Sequence, residues 1–169
     1  NGSGIEKAQV SRAFIRHATS KITDAKDLER LTSLGFRGEA LSSICAVAQV
    51  EMITRTGKDL TGLRYVIEGG TEKESEEIGA PEGTTVFVRN LFYNVPARKK
   101  FLKTPQSEGG HISDLMEHLA LSHPHVSFKY VWNGQIKFHT AGNGNLQEMI
   151  YRIDGKDMAS CLVPLEAEK

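Results

Sequence analysis

The chain has very little cysteine, no net charge and no long apolar run, and each shortage removes a class of function. Cys45 and Cys161 are the only cysteines. Far apart and without a C-x-x-C pair, they give neither a disulfide framework nor a redox motif, and both read as small buried hydrophobes. The six histidines have no acidic or cysteine partner at ligand spacing. His123 and His125 flank Pro124, and His111 and His118 share a helical face, yet no zinc site is assigned. Lys plus Arg equals Asp plus Glu at 21 each, so no global field draws the chain to nucleic acid or membrane, and any such attraction has to be local. Apolar stretches fall far short of the roughly 18 residues of a membrane span, and no charged-then-apolar leader is present. The expectation is a soluble, cytoplasmic globular protein with no membrane partner. A Walker-type phosphate loop, G-x-x-x-x-G-K-[ST], is absent too, so a phosphate site here has to be of another kind.

What is present begins with Leu34-Gly35-Phe36-Arg37-Gly38-Glu39-Ala40-Leu41, where two glycines flank an arginine just before an apolar helix start. Glycine lets the backbone approach a ligand closely. The first N–H groups of a helix lack intrahelical acceptors, so with the helix dipole behind them they favour an anion. Taken alone, the string also reads as a helix C-cap at Gly35 followed by a turn. Upstream, Arg16-His17-Ala18-Thr19-Ser20-Lys21 carries two hydroxyls and an ammonium able to coordinate phosphate oxygens. The chain opens on a flexible glycine turn, Asn1-Gly2-Ser3-Gly4-Ile5. Three such segments so close together read as the loops of one nucleotide site.

Hydrophobic periodicity predicts a helix over 6–16, with Ile5, Val10, Ala13 and Phe14 as its apolar stripe. A second short helix, capped by Asp24 or Asp27, carries Leu28, Leu31 and Leu34 and stops at Gly35. A third, over 39–48, is apolar nearly all round and therefore buried. From Gln49 the pattern turns to antiparallel strands over 50–56, 63–68 and 84–91, with the acidic run Glu72, Glu74, Glu76 and Glu77 as a solvated edge strand or hairpin. A loop from Tyr93 leads into a short basic helix after Pro96, and a domain boundary is placed close to Pro105. Beyond it come a helix over 107–122 with Ile112, Leu115, Met116 and Leu119 on one face, a hairpin over 126–131 and 135–140 turning at Asn133-Gly134, a helix over 146–153 and a last strand over 159–164.

In order and spacing, NGSGI, RHATSKI, LGFRGEALSSI and GTTVFVRNLFYNVPARKKFLK resemble the MutL family of DNA mismatch repair proteins, which belongs to the GHKL ATPases. The resemblance runs through essentially the whole chain. It implies an α+β fold: a GHKL-type α/β sandwich with a mixed sheet and helices on one face over 1–105, the C-terminal part of an ATPase domain, followed over 106–169 by the first part of a transducer-like α/β domain. It also implies the ATP-binding and hydrolysing N-terminal region of a mismatch repair protein, with ATP and Mg2+ as cofactors. There ATP closes a lid, drives dimerisation with a second copy and signals between a MutS-type mismatch recognition protein and downstream repair.

The resemblance carries nucleotide-binding roles onto matching positions. Gly2 and Gly4 belong to the turn beneath the adenine. Thr19, Ser20 and Lys21 contact the nucleotide. Arg37, Gly38, Glu39, Ala40 and Leu41 form the lid over the β- and γ-phosphates, and Gly83 and Thr84 sit on the strand closing the adenine pocket. The family's adenine-reading Asp, general-base Glu and Mg-binding Asn would precede Asn1, so no catalytic or metal-binding residue is assigned, and the 169 residues alone are expected to hydrolyse no ATP. Glu39 is no substitute base, because a helix-start glutamate more often stabilises the helix dipole.

A second chemical feature is the cluster Arg98, Lys99, Lys100 and Lys103 beside Phe92, Tyr93 and Phe101. It reads either as a positive patch that contacts DNA phosphates without reading bases, or as a solvated helix face with Phe101 tucked into the core. A non-hydrolysing scaffold that offers this surface to DNA or repair proteins is the alternative to the ATPase reading.

Overall fold

Val50, Met52 and Thr54 alternate with polar neighbours, and this period of two builds the sheet that organises the first half of the molecule. The computed structural model describes residues 2–18 and 37–163, and the chain divides into two compact units, Asn1–Phe101 and Leu102–Lys169. The helix expected over 24–34 lies outside the described residues. Among those described, no helix is long and apolar enough to cross a membrane.

In the first unit, α1 (Lys7–Val10) runs into a 3-10 turn (Ser11–Phe14), and α2 (Ala40–Cys45) precedes four strands: β1 (Gln49–Arg55), β2 (Gly62–Glu68), β3 (Thr71–Ile78) and β4 (Gly83–Arg89). The strand order is β3-β2-β1-β4, and every described pairing is antiparallel. The unit ends in α3 (Pro96–Lys100), with proline in the first turn where its missing N–H is harmless. One sheet face carries the core: Val10, Phe14 and Cys45 pack with Ala48, Val50, Met52, Tyr65 and Ile67. The helix expected over 6–16 is in fact broken. Ile15 turns to extended backbone and is 57% exposed, while the tightened turn sets Phe14 against Tyr65 with ring centroids 5.3 Å apart.

The helix expected over 39–48 stops at Cys45, because the carbonyls beyond it find partners elsewhere. Gly70 N donates to Cys45 O (2.9 Å), Phe92 N to Val47 O (2.7 Å) and Gly69 N to Ala48 O (3.3 Å), and Asn94 Nδ2 donates to Ala46 O (2.9 Å). The turn after β2 and the loop after β4 thus cap the helix end together.

The opposite sheet face is ionic. Arg64 donates to Glu51, Glu74 and Glu76 at 2.7–2.8 Å, and Arg89 to Glu51 at 2.7 Å. Glu77 pairs with Lys7, and Glu72 accepts from the Tyr65 hydroxyl. Each carboxylate of the acidic run therefore has a partner, and β3 is a charged sheet edge that resists pairing with other chains. Hydrogen bonds from Arg64 and then Arg89 hold the Glu51 carboxyl below its usual range. A depressed folded-state pKa contributes stability that is present above the unfolded value, near 4.3, and is lost as pH falls through the folded one. Glu51→Gln is expected to lower stability by about 1 kcal/mol at pH 7, with the deficit vanishing in acid. Paired thermal melts from pH 7 to pH 3 check this.

The second unit holds α4 (Pro105–Ser122), the hairpin β5 (Lys129–Trp132) and β6 (Gln135–His139), α5 (Leu146–Asp154) and α6 (Lys156–Ser160). Thr104 and Asn145 cap α4 and α5 through their side chains. Asn133 and Gly134 both have positive φ, as a tight hairpin turn requires. Ala120, Phe138 and Met149 form the core, and Met116 packs on it. Ile112 and Leu115, expected on the same face, are instead 52% and 59% exposed.

No strand forms over the described part of the stretch expected as one, 159–163: Ala159 and Ser160 end the helix α6, which opens at Gly155 (φ 90) with Asp157 in its first turn, and 161–163 are turn and coil. A short apolar run cannot distinguish the two states by periodicity. Cys45 is buried as expected, but Cys161, just past the end of α6, is exposed.

Candidate functional site

Two constellations in the first unit gather the residues singled out in the sequence. The first centres on Thr54, which is 1% exposed on β1. Its Oγ1 accepts from Ile5 N (2.8 Å), lies 3.0 Å from Gly83 O and 2.8 Å from Thr84 Oγ1. The opening turn and the start of β4 are thereby joined, which brings Gly4 to the same place as Gly83 and Thr84. Gly4 has φ +76, and a Cβ there would lie 2.1 Å from Arg55 O, so only glycine fits this approach. Gly2 has nothing within 4 Å in the direction a side chain would take.

The second constellation joins the loop ending at Ala18 to the turn before α2. His17 N donates to Gly38 O (3.1 Å), and His17 Nδ1 lies 3.2 Å from Glu39 Oε1. Gly38 has φ +64, and a Cβ there would lie 2.3 Å from Ala18 O. Ser43 N donates to Glu39 O (2.9 Å) to close the first turn of α2, and Ser42 Oγ also donates to it (3.0 Å). The N–H groups of Ala40 and Leu41, at the head of that turn, have no helical acceptor. With Arg37 exposed alongside, these groups suit an anion. Thr19, Ser20 and Lys21 lie outside the described residues.

The basic cluster is divided. Arg98, Lys99 and Lys100 are exposed on α3, and among the described residues none of them pairs with a carboxylate. Lys103 belongs to the second unit, where its backbone N donates to Glu108 Oε1 (2.8 Å). Phe101 is 87% exposed, so it is not tucked into a core as the solvated-face account expected. A cleft of about 390 Å³ lies between α5 and α6, lined by Asn145, Glu148, Tyr151 and Lys156 among others, and it holds none of the residues singled out. No group of histidine, cysteine or carboxylate side chains among the described residues is arranged to hold a metal ion.

No family model matches the chain. Individual relatives do: the DNA mismatch repair protein MutL of Agathobacter rectalis is 61% identical over 168 residues, which is 99% of this chain and 26% of that protein. The chain belongs to the MutL family. The MutL proteins of Methanoculleus marisnigri and Shouchella clausii are 48% and 46% identical, each over 98% of the chain. The chain spans about a quarter of the length of these MutL relatives. Among solved structures, the Aquifex aeolicus MutL ATPase domain complexed with ADP superimposes with a TM-score of 0.67 at 28% identity, over 89% of this chain and 52% of that one. The N-terminal domain of a DNA repair protein gives 0.69 at 26% identity, over 91% and 45%. The fold is thus the α+β fold of the MutL GHKL ATPase domain.

Two residues of this MutL-family chain that sequence reasoning passed over are Thr54 and His17. Thr54 had a signal: a hydroxyl in register with buried Val50 and Met52 needs partners inside. His17, at φ 61, had none, since its contacts depend on how the loop folds back.

Proposed function

We propose that this chain is the lid-bearing part of an ATP-binding and hydrolysing MutL N-terminal region, acting in the cytoplasm. Ile5, Thr54, Gly83 and Thr84 hold the nucleoside end together with the Gly2–Gly4 turn. Thr19, Ser20, Lys21, Arg37, Gly38, Glu39, Ala40 and Leu41 hold the phosphates. The observation that supports this reading is the seating of Gly38 on Ala18, which joins the turn before α2 to the loop ending at Ala18.

Bound ATP with Mg2+ supplies the phosphoryl group and the charge neutralisation for transfer to water. This chain's own residues bind and orient: first-turn amides of α2 and the Arg37 guanidinium favour developing negative charge without rearranging. No residue here is assigned to the metal or to proton transfer. Closure of this lid favours the nucleotide-bound state, which brings two copies together and signals to a MutS-type partner. The second unit, reaching through Lys169, serves as the first part of a transducer-like domain. Titration of a non-hydrolysable ATP analogue into the full-length protein tests the reading. Saturable binding that Arg37→Ala weakens supports it, and binding indifferent to Arg37 removes it.

Arg98, Lys99 and Lys100 in the first unit supply a sequence-independent DNA contact, and Lys103 in the second unit contacts DNA phosphate on its own account. The cations of α3, exposed and without a carboxylate partner among the described residues, support this. Reversing charge at Lys99 and Lys100 is expected to weaken DNA retention and to reduce the salt slope by about 0.9 for each phosphate that is no longer neutralised. An unchanged slope in binding measured at several salt concentrations assigns these residues to solvation alone.

A further inference from the structure

We infer that Thr54 is a positioning residue that sets the hydrogen-bond polarity of Thr84, so that the site prefers a base presenting an amino donor to one presenting a carbonyl. The inference rests on the nucleotide-site reading proposed above. A threonine hydroxyl has one proton to give and two lone pairs to accept with. Thr54 Oγ1 has three neighbours: Ile5 N at 2.8 Å, Gly83 O at 3.0 Å and Thr84 Oγ1 at 2.8 Å. The amide can only donate and the carbonyl can only accept. The single Thr54 proton therefore goes to Gly83 O, and Thr84 must donate its own proton to Thr54.

Thr54 and Thr84 face each other directly across the β1–β4 ladder, and Thr54 is buried at 1% exposure while Thr84 is exposed. An unsatisfied group at the buried position would be costly, which locks this arrangement. Thr84 thus turns an acceptor-only oxygen outward. A ligand edge with an exocyclic amino group, as on adenine, finds a partner there. A carbonyl at the same position, as on guanine, meets lone pair against lone pair.

The test is the ratio of ATP to GTP affinity in the full-length protein, with inorganic tripolyphosphate as the base-free probe. Thr54→Val keeps the shape but frees the Thr84 hydroxyl to rotate and donate. It is expected to reduce the ATP/GTP ratio about tenfold and leave tripolyphosphate binding unchanged, while Thr54→Ser restores the ratio. A role confined to packing would lower thermal stability and leave the ratio where it was, and that result overturns the inference. Should Thr54→Val not fold, Thr84→Val, at an exposed position, is expected to weaken ATP and not GTP; equal weakening overturns the inference too. A wild-type protein that binds none of the three ligands defeats the nucleotide-site reading itself, whereas ATP binding with an unaltered ratio in the variants defeats only the assignment to Thr54.

Discussion

Gly38→Ala is expected to weaken nucleotide binding on the order of 100-fold, the scale at which a misplacement of about 1 Å is felt in a preorganised site. The added Cβ would lie 2.3 Å from Ala18 O, 2.7 Å from Ala18 C and 3.0 Å from Ala18 N. All three are backbone atoms, so no flexible side chain can move aside. The residue also sits at φ +64, a conformation that costs a non-glycine residue about 1–2 kcal/mol.

Relief requires the turn before α2 to part from the loop at Ala18, which breaks the bond from His17 N to Gly38 O and separates His17 from Glu39. Arg37 is the neighbouring residue, and it moves with the turn. Global stability is affected little by comparison, because neither Gly38 nor its neighbours belong to the core cluster of the first unit. Calorimetric titration with an ATP analogue, run beside a thermal melt, separates the two effects. Undiminished affinity would show that the seating of Gly38 on Ala18 has no part in holding phosphate.

Part of the fold was legible because its signals are local. The Asn133-Gly134 turn and the proline-led α3 each carry their meaning within a few residues, and the α+β class follows from helical periodicity giving way to alternation at Gln49; of the candidate site, the need for glycine at positions 4 and 38 could be read in the same way. The rest depends on contacts between distant segments. The break after Phe14 arises because its ring meets Tyr65, and α2 ends at Cys45 because loops after β2 and β4 supply donors for its last carbonyls. Tertiary partners overrode the helical pattern in both places.

The strand expected from Ala159 failed differently: the apolar run there is too short for either period to win, and Ala159 and Ser160 end a helix that opens after a glycine at φ 90. Thr54 shows the intermediate case. Its burial could be read from alternation, but its three partners could not, since they come from Ile5, Gly83 and Thr84.

Gly4 and Gly2 look equivalent in the sequence, yet their alanine variants are expected to behave oppositely in a thermal melt. At Gly4 a Cβ would meet Arg55 O at 2.1 Å, Arg55 C at 2.5 Å and Thr56 N at 2.9 Å, with φ at +76. This wall is the end of β1, and it is held from behind: Arg55 Nε donates to Ala80 O (2.6 Å) and Nη1 to Asp59 O (3.0 Å). The opening turn must therefore lift instead, which withdraws the Ile5 amide from Thr54 and loosens Ile5 from the core it packs against. The left-handed backbone contributes about 1–2 kcal/mol and the abandoned buried hydroxyl about 1–3 kcal/mol. Gly4→Ala is thus expected to lose about 3 kcal/mol, a drop of roughly 12 to 24 °C for a unit of this size, with faster hydrogen exchange at Ile5. Gly2→Ala, with nothing within 4 Å of the new methyl group, is expected to melt as the wild type does. Equal melting of the two variants would mean that the turn is not anchored on β1, and the nucleoside end of the site would lose its support.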